Sequence, residues 1–174
     1  SLTAEGAFQS GYIRSLYSYD QKRRAFGGYF HLDYRLNDNK LSSVLTLGGF
    51  YLSGDKLSTD NYEAWDPLFS RWPKWSESYI YTMIKEHSVA YWSNIYSLYS
   101  RLKFRISPKI GLDLALYKLY AAQYSNSQGT FLSGTGTDRG WLLTSKLNMK
   151  FNKCLSGHVV YETFKPGDFY LDDA

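Results

Sequence analysis

The sequence predicts an all-β chain, an antiparallel up-and-down meander forming part of a transmembrane outer-membrane β-barrel. Three observations carry that expectation. Apolar and polar residues alternate with a period of two over long segments, and the connections between those segments alternate between long and short. Aromatic residues are abundant, with 17 Tyr, 10 Phe and 5 Trp in 174 residues. Tyr and Trp suit positions that are apolar at one end and wet at the other, either a membrane interface or a carbohydrate-binding surface.

Seven strands are expected, at 2–16, 24–36, 41–53, 88–106, 110–124, 140–151 and 155–164. The first and third alternate weakly. In the second, Phe30, Leu32, Tyr34 and Leu36 alternate with His31, Asp33 and Arg35. In the fourth, Tyr96, Leu98, Leu102, Phe104 and Ile106 stand opposite Ser97, Tyr99, Arg101, Lys103 and Arg105, and in the fifth Ile110, Leu112, Leu114 and Leu116 oppose Gly111, Asp113, Ala115 and Tyr117. The sixth is clearest: Leu143, Ser145, Leu147, Met149 and Phe151 share one face, and Thr144, Lys146, Asn148 and Lys150 the other. The seventh sets Leu155, Gly157, Val159 and Tyr161 against Ser156, His158, Val160 and Glu162. These runs exceed the roughly 5–6 residues of a soluble strand and match the roughly 9–11 of a tilted membrane strand.

Three connections are tight and rich in turn residues, Asn37-Asp38-Asn39-Lys40, Ser107-Pro108-Lys109 and Asn152-Lys153-Cys154. Three are long, at 17–23, 54–87 and 125–139. In a meander this order puts every long loop at one end, the asymmetry of outer-membrane barrels.

Composition narrows the function. The chain has no apolar run near the roughly 20 residues of a spanning helix, which excludes a helical membrane protein but not a barrel. The net charge is 20 − 16 = +4, and apart from Lys22-Arg23-Arg24 the basic residues are scattered, so nucleic acid is not an expected partner. A lone Cys154 forms no internal disulfide, and His31, His87 and His158 lack ligand spacing, so neither metal nor cofactor is expected. Glu162 and Asp168 are the nearest approach to a catalytic carboxylate pair, with nothing to fix their separation, and the chain is not expected to be an enzyme.

Three segments in order carry a resemblance: Tyr51-Leu52-Ser53-Gly54-Asp55; Trp65-Asp66-Pro67-Leu68-Phe69-Ser70-Arg71-Trp72; and Gly157-His158-Val159-Val160-Tyr161-Glu162-Thr163-Phe164-Lys165-Pro166-Gly167-Asp168-Phe169-Tyr170. Together they resemble the C-terminal part of the alginate-export family of outer-membrane barrels. The resemblance covers residues 51–170; residues 1–50 share only a strand-like pattern. It implies a large monomeric barrel of the bacterial outer membrane through which an anionic polysaccharide or other polar solute diffuses, steered by basic lumen side chains. Bacterial barrels have an even number of strands from 8 upward, and seven would leave two unpaired edges in lipid. Residues 1–174 are therefore expected to be one β-barrel region, a C-terminal fragment of a larger barrel without its closing strand, with the rest of that barrel as its first partner.

The expected function is an outer-membrane pore or exporter passing a polar, anionic saccharide or similar solute by passive diffusion. Its lumen candidates are Arg35, Arg101, Lys103, Arg105, Lys146, Lys150 and His158, beside His31, Asp33, Asp113 and Glu162. Fixed positive charge in a low-dielectric wall concentrates anions. Arg105 and Lys150 are expected near the short-turn mouth with Asp113 at the same height, a placement that equally suits a cross-strand ion-pair ladder. Lys22-Arg23-Arg24 is expected in an outer loop, facing lipopolysaccharide phosphate or solvent, with outer-membrane lipid around the barrel. Trp65, Trp72 and Trp75, with Arg71 and Lys74, could stack on sugars or constrict the pore, or form with Pro67 and Pro73 the core of a folded loop. The 54–87 connection is long enough to plug the barrel. The alternative reading, from another class, is a soluble or surface β-protein that turns its apolar residues inward and binds carbohydrate through the Trp/Tyr-rich loop.

Overall fold

The computed structural model describes residues 1–14, 20–37, 42–56, 58–68, 76, 93–124 and 136–170. They form seven strands: β1 Leu2–Ile13, β2 Gln21–Asn37, β3 Ser42–Leu52, β4 Ile95–Ser107, β5 Ile110–Tyr120, β6 Asp138–Lys150 and β7 Ser156–Pro166. Each pairs antiparallel with its neighbours in sequence, giving one sheet in the order β1 to β7 with β1 and β7 as its open edges. The expected all-β meander is what forms, and its short and long connections alternate as the sequence reading has them.

Strand ends differ from expectation for local reasons. β4 starts at Ile95 rather than 88, of which 88–92 lie outside the described residues. Asn94 has a left-handed φ of 52°, which extended chain cannot continue and which Asn tolerates better than most residues. Its amide donates to the Gln123 carbonyl (2.9 Å) and its side-chain oxygen accepts from the Gln123 N–H (2.6 Å), ending β5 beside it at Tyr120 instead of 124. β2 begins at Gln21, so Lys22-Arg23-Arg24 belongs to a strand and not to the outer loop expected. Part of the reason is a parallel bridge from the β3–β4 connection: the Arg24 N–H donates to the Tyr62 carbonyl and the Tyr62 N–H to that of Lys22. At the other end Asn152 closes the β6–β7 turn, its side-chain oxygen accepting from the N–H groups of Cys154 and Leu155 at 2.8 Å.

Directly paired residues of antiparallel strands share a face, so the register sorts the sheet completely. One face carries, from β2 to β7, pairings such as Leu32↔Leu47, Leu45↔Leu102, Phe104↔Leu112, Leu116↔Leu143 and Leu147↔Val159. Apart from Leu68 and Tyr124, every large apolar residue that stays exposed among the described residues lies on this face or continues its alternation, Leu98 (60%) and Val159 (58%) among them. Toward the long-loop end it carries a ring ladder across four strands. Phe26 stacks on Tyr51 (5.1 Å), Tyr51 on Tyr96 (6.3 Å) and Tyr96 on Tyr120 (5.0 Å), and the Lys118 ammonium lies 4.9 Å from the Trp141 ring.

The opposite face is polar only in part. At its long-loop end Ile95, Leu119 and Leu142 are fully buried under Phe169 and Tyr170, with Phe50, Leu52 and Phe164 packed around them. This is the core of the described chain, and alternation hides it because Trp141, Leu142 and Leu143 are apolar on both sides of the sheet. A β-bulge places it. Leu119 pairs with Gly140 but Tyr120 with Asp138, leaving Arg139 as the extra residue, with its guanidinium 4.5 Å from the Phe169 ring centre. Gly140 sits at φ 116°, and a Cβ there would strike the Lys165 carbonyl oxygen and stand 2.9 Å from the Gly167 nitrogen. Gly140→Ala should therefore cost at least about 1–3 kcal/mol in denaturant unfolding. Gly11→Ala, at a site with nothing within 4 Å, should stay within about 0.5 kcal/mol.

Candidate functional site

Below the apolar core, the polar face is read most simply in rows, each made of residues level with one another across the strands. One row runs Asp33, Thr46, Arg101, Ala115, Thr144, Glu162; the next, toward the short turns, runs Arg35, Val44, Lys103, Asp113, Lys146, Val160; a third holds Arg105, Gly111, Asn148 and His158. Lys150 lies one row further, opposite Ser156. The sequence-derived basic candidates thus share one face and one end of the sheet.

The ion pairs differ from the expected ladder. Asp113 is level with Lys103 and Lys146, not with Arg105 or Lys150. Its carboxylate is held bidentately by Arg101, Nε at 2.7 Å and Nη2 at 2.8 Å, with Lys103 Nζ at 3.6 Å. A fork of this kind satisfies both carboxylate oxygens, and among the described residues neither Arg105 nor Lys150 forms an ion pair with it. A second polar cluster sits beside it, where the Thr46 hydroxyl donates to Asp33 at 2.6 Å and His31 lies 3.9 Å from the same carboxylate.

A cavity of about 590 Å³ opens at the short-turn end, and its charged and polar lining includes Lys103, Arg105, Lys109, Lys150 and His158. The one carboxylate in it, Asp113, is already engaged by Arg101, so four cationic side chains face a single committed anion. Arg35 and Lys146 lie on the row above and outside the lining. Lys109 was missed by sequence reasoning because it sits in the Pro108-Lys109 turn and not at an alternating strand position. Its signal is position: a two-residue turn at the end of a basic strand must return its side chain to the same rim.

The connection after β3 covers the other end of the polar face. The Trp65 ring lies against Gly27, about 3.1 Å from where a Cβ there would stand, close beside Leu52. This fits the folded-loop role for Trp65; Arg71, Trp72 and Trp75 lie outside the described residues. Gln9 grips the Asp66 backbone from both sides, donating to its carbonyl (2.6 Å) and accepting from its N–H (2.9 Å), while the Asp66 carboxylate pairs with Arg23. At the opposite edge, the buried Ser76 hydroxyl donates to Glu162 of β7 at 2.7 Å. The connection is therefore tied to the polar face at both edges of the sheet.

Burial would push the Asp66 carboxyl up, but the Leu68 N–H donating at 2.9 Å and the Arg23 guanidinium outweigh it and hold the pKa below its ordinary value. A lowered folded pKa contributes stability that is full above the unfolded value of about 3.9 and is lost as pH falls through the folded one. Protease resistance of residues 58–68 should hold at neutral pH and fall below about pH 4. Asp66→Asn should lose that resistance at neutral pH and with it most of the acid dependence.

No protein-family model matches the chain, and no characterised protein matches it in sequence.

Proposed function

We propose that the chain is part of a transmembrane outer-membrane β-barrel that passes a polar, anionic saccharide or similar solute by passive diffusion along its polar face. One observation carries the reading: the described parts of the connections fold over the polar face, and among the described residues the apolar face is left bare. A soluble β-protein does the reverse, burying its apolar side under a second layer. Seven strands about 4.8 Å apart and about 33 Å long make a face on the order of 1,000 Å², where soluble monomers rarely expose more than about 300–600 Å² of contiguous apolar surface.

Dimensions agree with a bilayer. On β4 the apolar face runs from Tyr96 in the ring ladder to Ile106, ten residues on. That is about 33 Å along the strand, or about 25 Å along a barrel axis at a tilt near 40°, the height of the apolar band between aromatic girdles. The edges of β1 and β7 then pair with further strands, since lipid supplies no hydrogen bonds to them. The resemblance to the alginate-export family supports an anionic solute, as does the cavity lined by Lys103, Arg105, Lys109 and Lys150. Lys103 keeps about half its side chain exposed, which leaves it able to meet a passing carboxylate.

Cysteine substitution tests which face is wet. An aqueous thiol reagent applied to native membranes should label position 146 and spare 147; labelling of 147 alone overturns the reading. Leu143→Arg, level with Ser100 near the middle of that band, should cost about 2–4 kcal/mol. In planar bilayers, replacing Lys103, Arg105 and Lys109 with Gln should lower anion selectivity while leaving conductance to neutral sugars intact.

A further inference from the structure

The alternation of β2 divides the Lys22-Arg23-Arg24 run between the two faces. Arg23 points to the polar face and pairs with Asp66, whereas Lys22 and Arg24 pair in register with Tyr12 and Ser10, on the apolar face above Phe8↔Phe26. Neither Lys22 nor Arg24 has an ion-pair partner among the described residues. Lys118, on the same face, is neutralised by Asp138 at 2.6 Å. Lys22 and Arg24 thus stand together at the long-loop end of the β1–β2 side of this face; Lys165, which also has no ion-pair partner among the described residues, lies across the sheet on β7.

Directly below them lies a groove of about 410 Å³ in the apolar face. Gly28 and Gly49 form its floor, and Phe26, Phe30, Tyr51 and Tyr96 stand among its walls. The floor is kept low by its neighbours: a Cβ on Gly28 would come within 2.7 Å of the Glu5 carbonyl, and one on Gly49 within 2.9 Å of the Phe30 ring. From Arg24 to Phe26 at the top of the groove is about 7 Å along the strand. A phosphate held by the two cations would place an attached acyl chain in the groove.

We propose that Lys22 and Arg24, with the Gly28–Gly49 groove, form a site for one phosphorylated glycolipid of the outer leaflet. The inference rests on the outer-membrane reading above. Long loops mark the outer side of such barrels, and basic residues at the interfacial height beside a hydrocarbon groove recognise anionic lipid headgroups. The outer-leaflet lipid is a phosphorylated glycolipid, so that lipid, rather than an inner-leaflet phospholipid, is the occupant.

Native mass spectrometry of the full-length protein in neutral detergent, titrated with bisphosphorylated lipid A, its dephosphorylated form and phosphatidylglycerol, tests it. One lipid A should bind wild type, and the dephosphorylated form should bind roughly thirty-fold more weakly, as expected for losing two interfacial charge contacts. The K22Q/R24Q variant should lose affinity for lipid A to the same extent, and Lys109→Gln, at the opposite end, should lose none. Equal binding of the two lipid A forms by wild type overturns the proposal without need of any variant, and so does phosphatidylglycerol binding as tightly as lipid A. Fractionation separates the two readings: protein that washes off the outer membrane overturns both, whereas protein that stays and shows no phosphate preference overturns this one alone.

Discussion

Every feature of this molecule depends on an antiparallel register that runs through all seven strands and shifts at Ile106 and at Arg139. Side chains alternate with a period of two, so a slip of one residue in any pair sends a whole strand's side chains to the other face. In β6 such a slip would move Lys146 and Lys150 onto the apolar side and Leu143 and Leu147 onto the basic one. The register is pinned from both ends of the strands. Short turns closed by Asn152 and by the Ser107 hydroxyl, which accepts from the Lys109 N–H, fix one end, and the Gly140 bulge fixes the other. Between them lie Arg101–Asp113, Thr46–Asp33 and Lys118–Asp138. Cross-strand contacts of this kind contribute only about 0.2–1 kcal/mol each, but all of them are lost together in a slip, along with the separation of the faces.

Loop length then divides the polar face in two. At the long-loop end the chain has material to fold back, and it lays Trp65, Phe169 and Tyr170 over Leu52, Leu119, Leu142 and Phe164, so these inward positions can be apolar. At the short-turn end the connections are too short to reach back across the sheet. Lys103, Arg105 and Lys150 stay exposed there among the described residues, and solvent screens their mutual repulsion. The basic cavity is thus where it is because the turns beside it are tight. In the proposed pore, this geometry leaves an open, cation-lined end facing a capped end whose connection is tethered at Asp66 and at Ser76.

Much of this was legible in the sequence. Strand number, order, the sorting of Leu143 to Lys150 and the loop asymmetry all follow from periodicity, because side-chain direction in a strand is set by backbone geometry alone. The aromatic count marked rings as a feature of the sheet, though not that Phe26, Tyr51, Tyr96 and Tyr120 stand in one ladder, since that requires the register between four strands. Three features were not legible. The core at Leu119 and Leu142 depends on loops that alternation does not describe. Asp113 was matched to Arg105 and Lys150 because its height was judged from turn positions, and the true rows place it beside Lys103. Which face is outward is invisible to a pattern that reads the same in both directions; the proposal that the apolar face is outward rests on where the described connections lie.

The Lys22-Arg23-Arg24 run illustrates how a sheet changes the meaning of a charge cluster. In a loop or on a helix, three consecutive cations form one patch, with one electrostatic consequence. On β2 the sheet lies between them: Arg23 is spent on Asp66, holding the long connection against the polar face, while Lys22 and Arg24 are left on the apolar face above an aromatic-walled groove. The flanking pattern Phe26, Gly28, Phe30 continues the outer set, and Ala25 and Gly27 continue the inner one, small enough for Trp65 to approach. A single stretch of strand thereby builds the loop anchor on one side and the proposed headgroup position on the other, and neither can shift without displacing its counterpart.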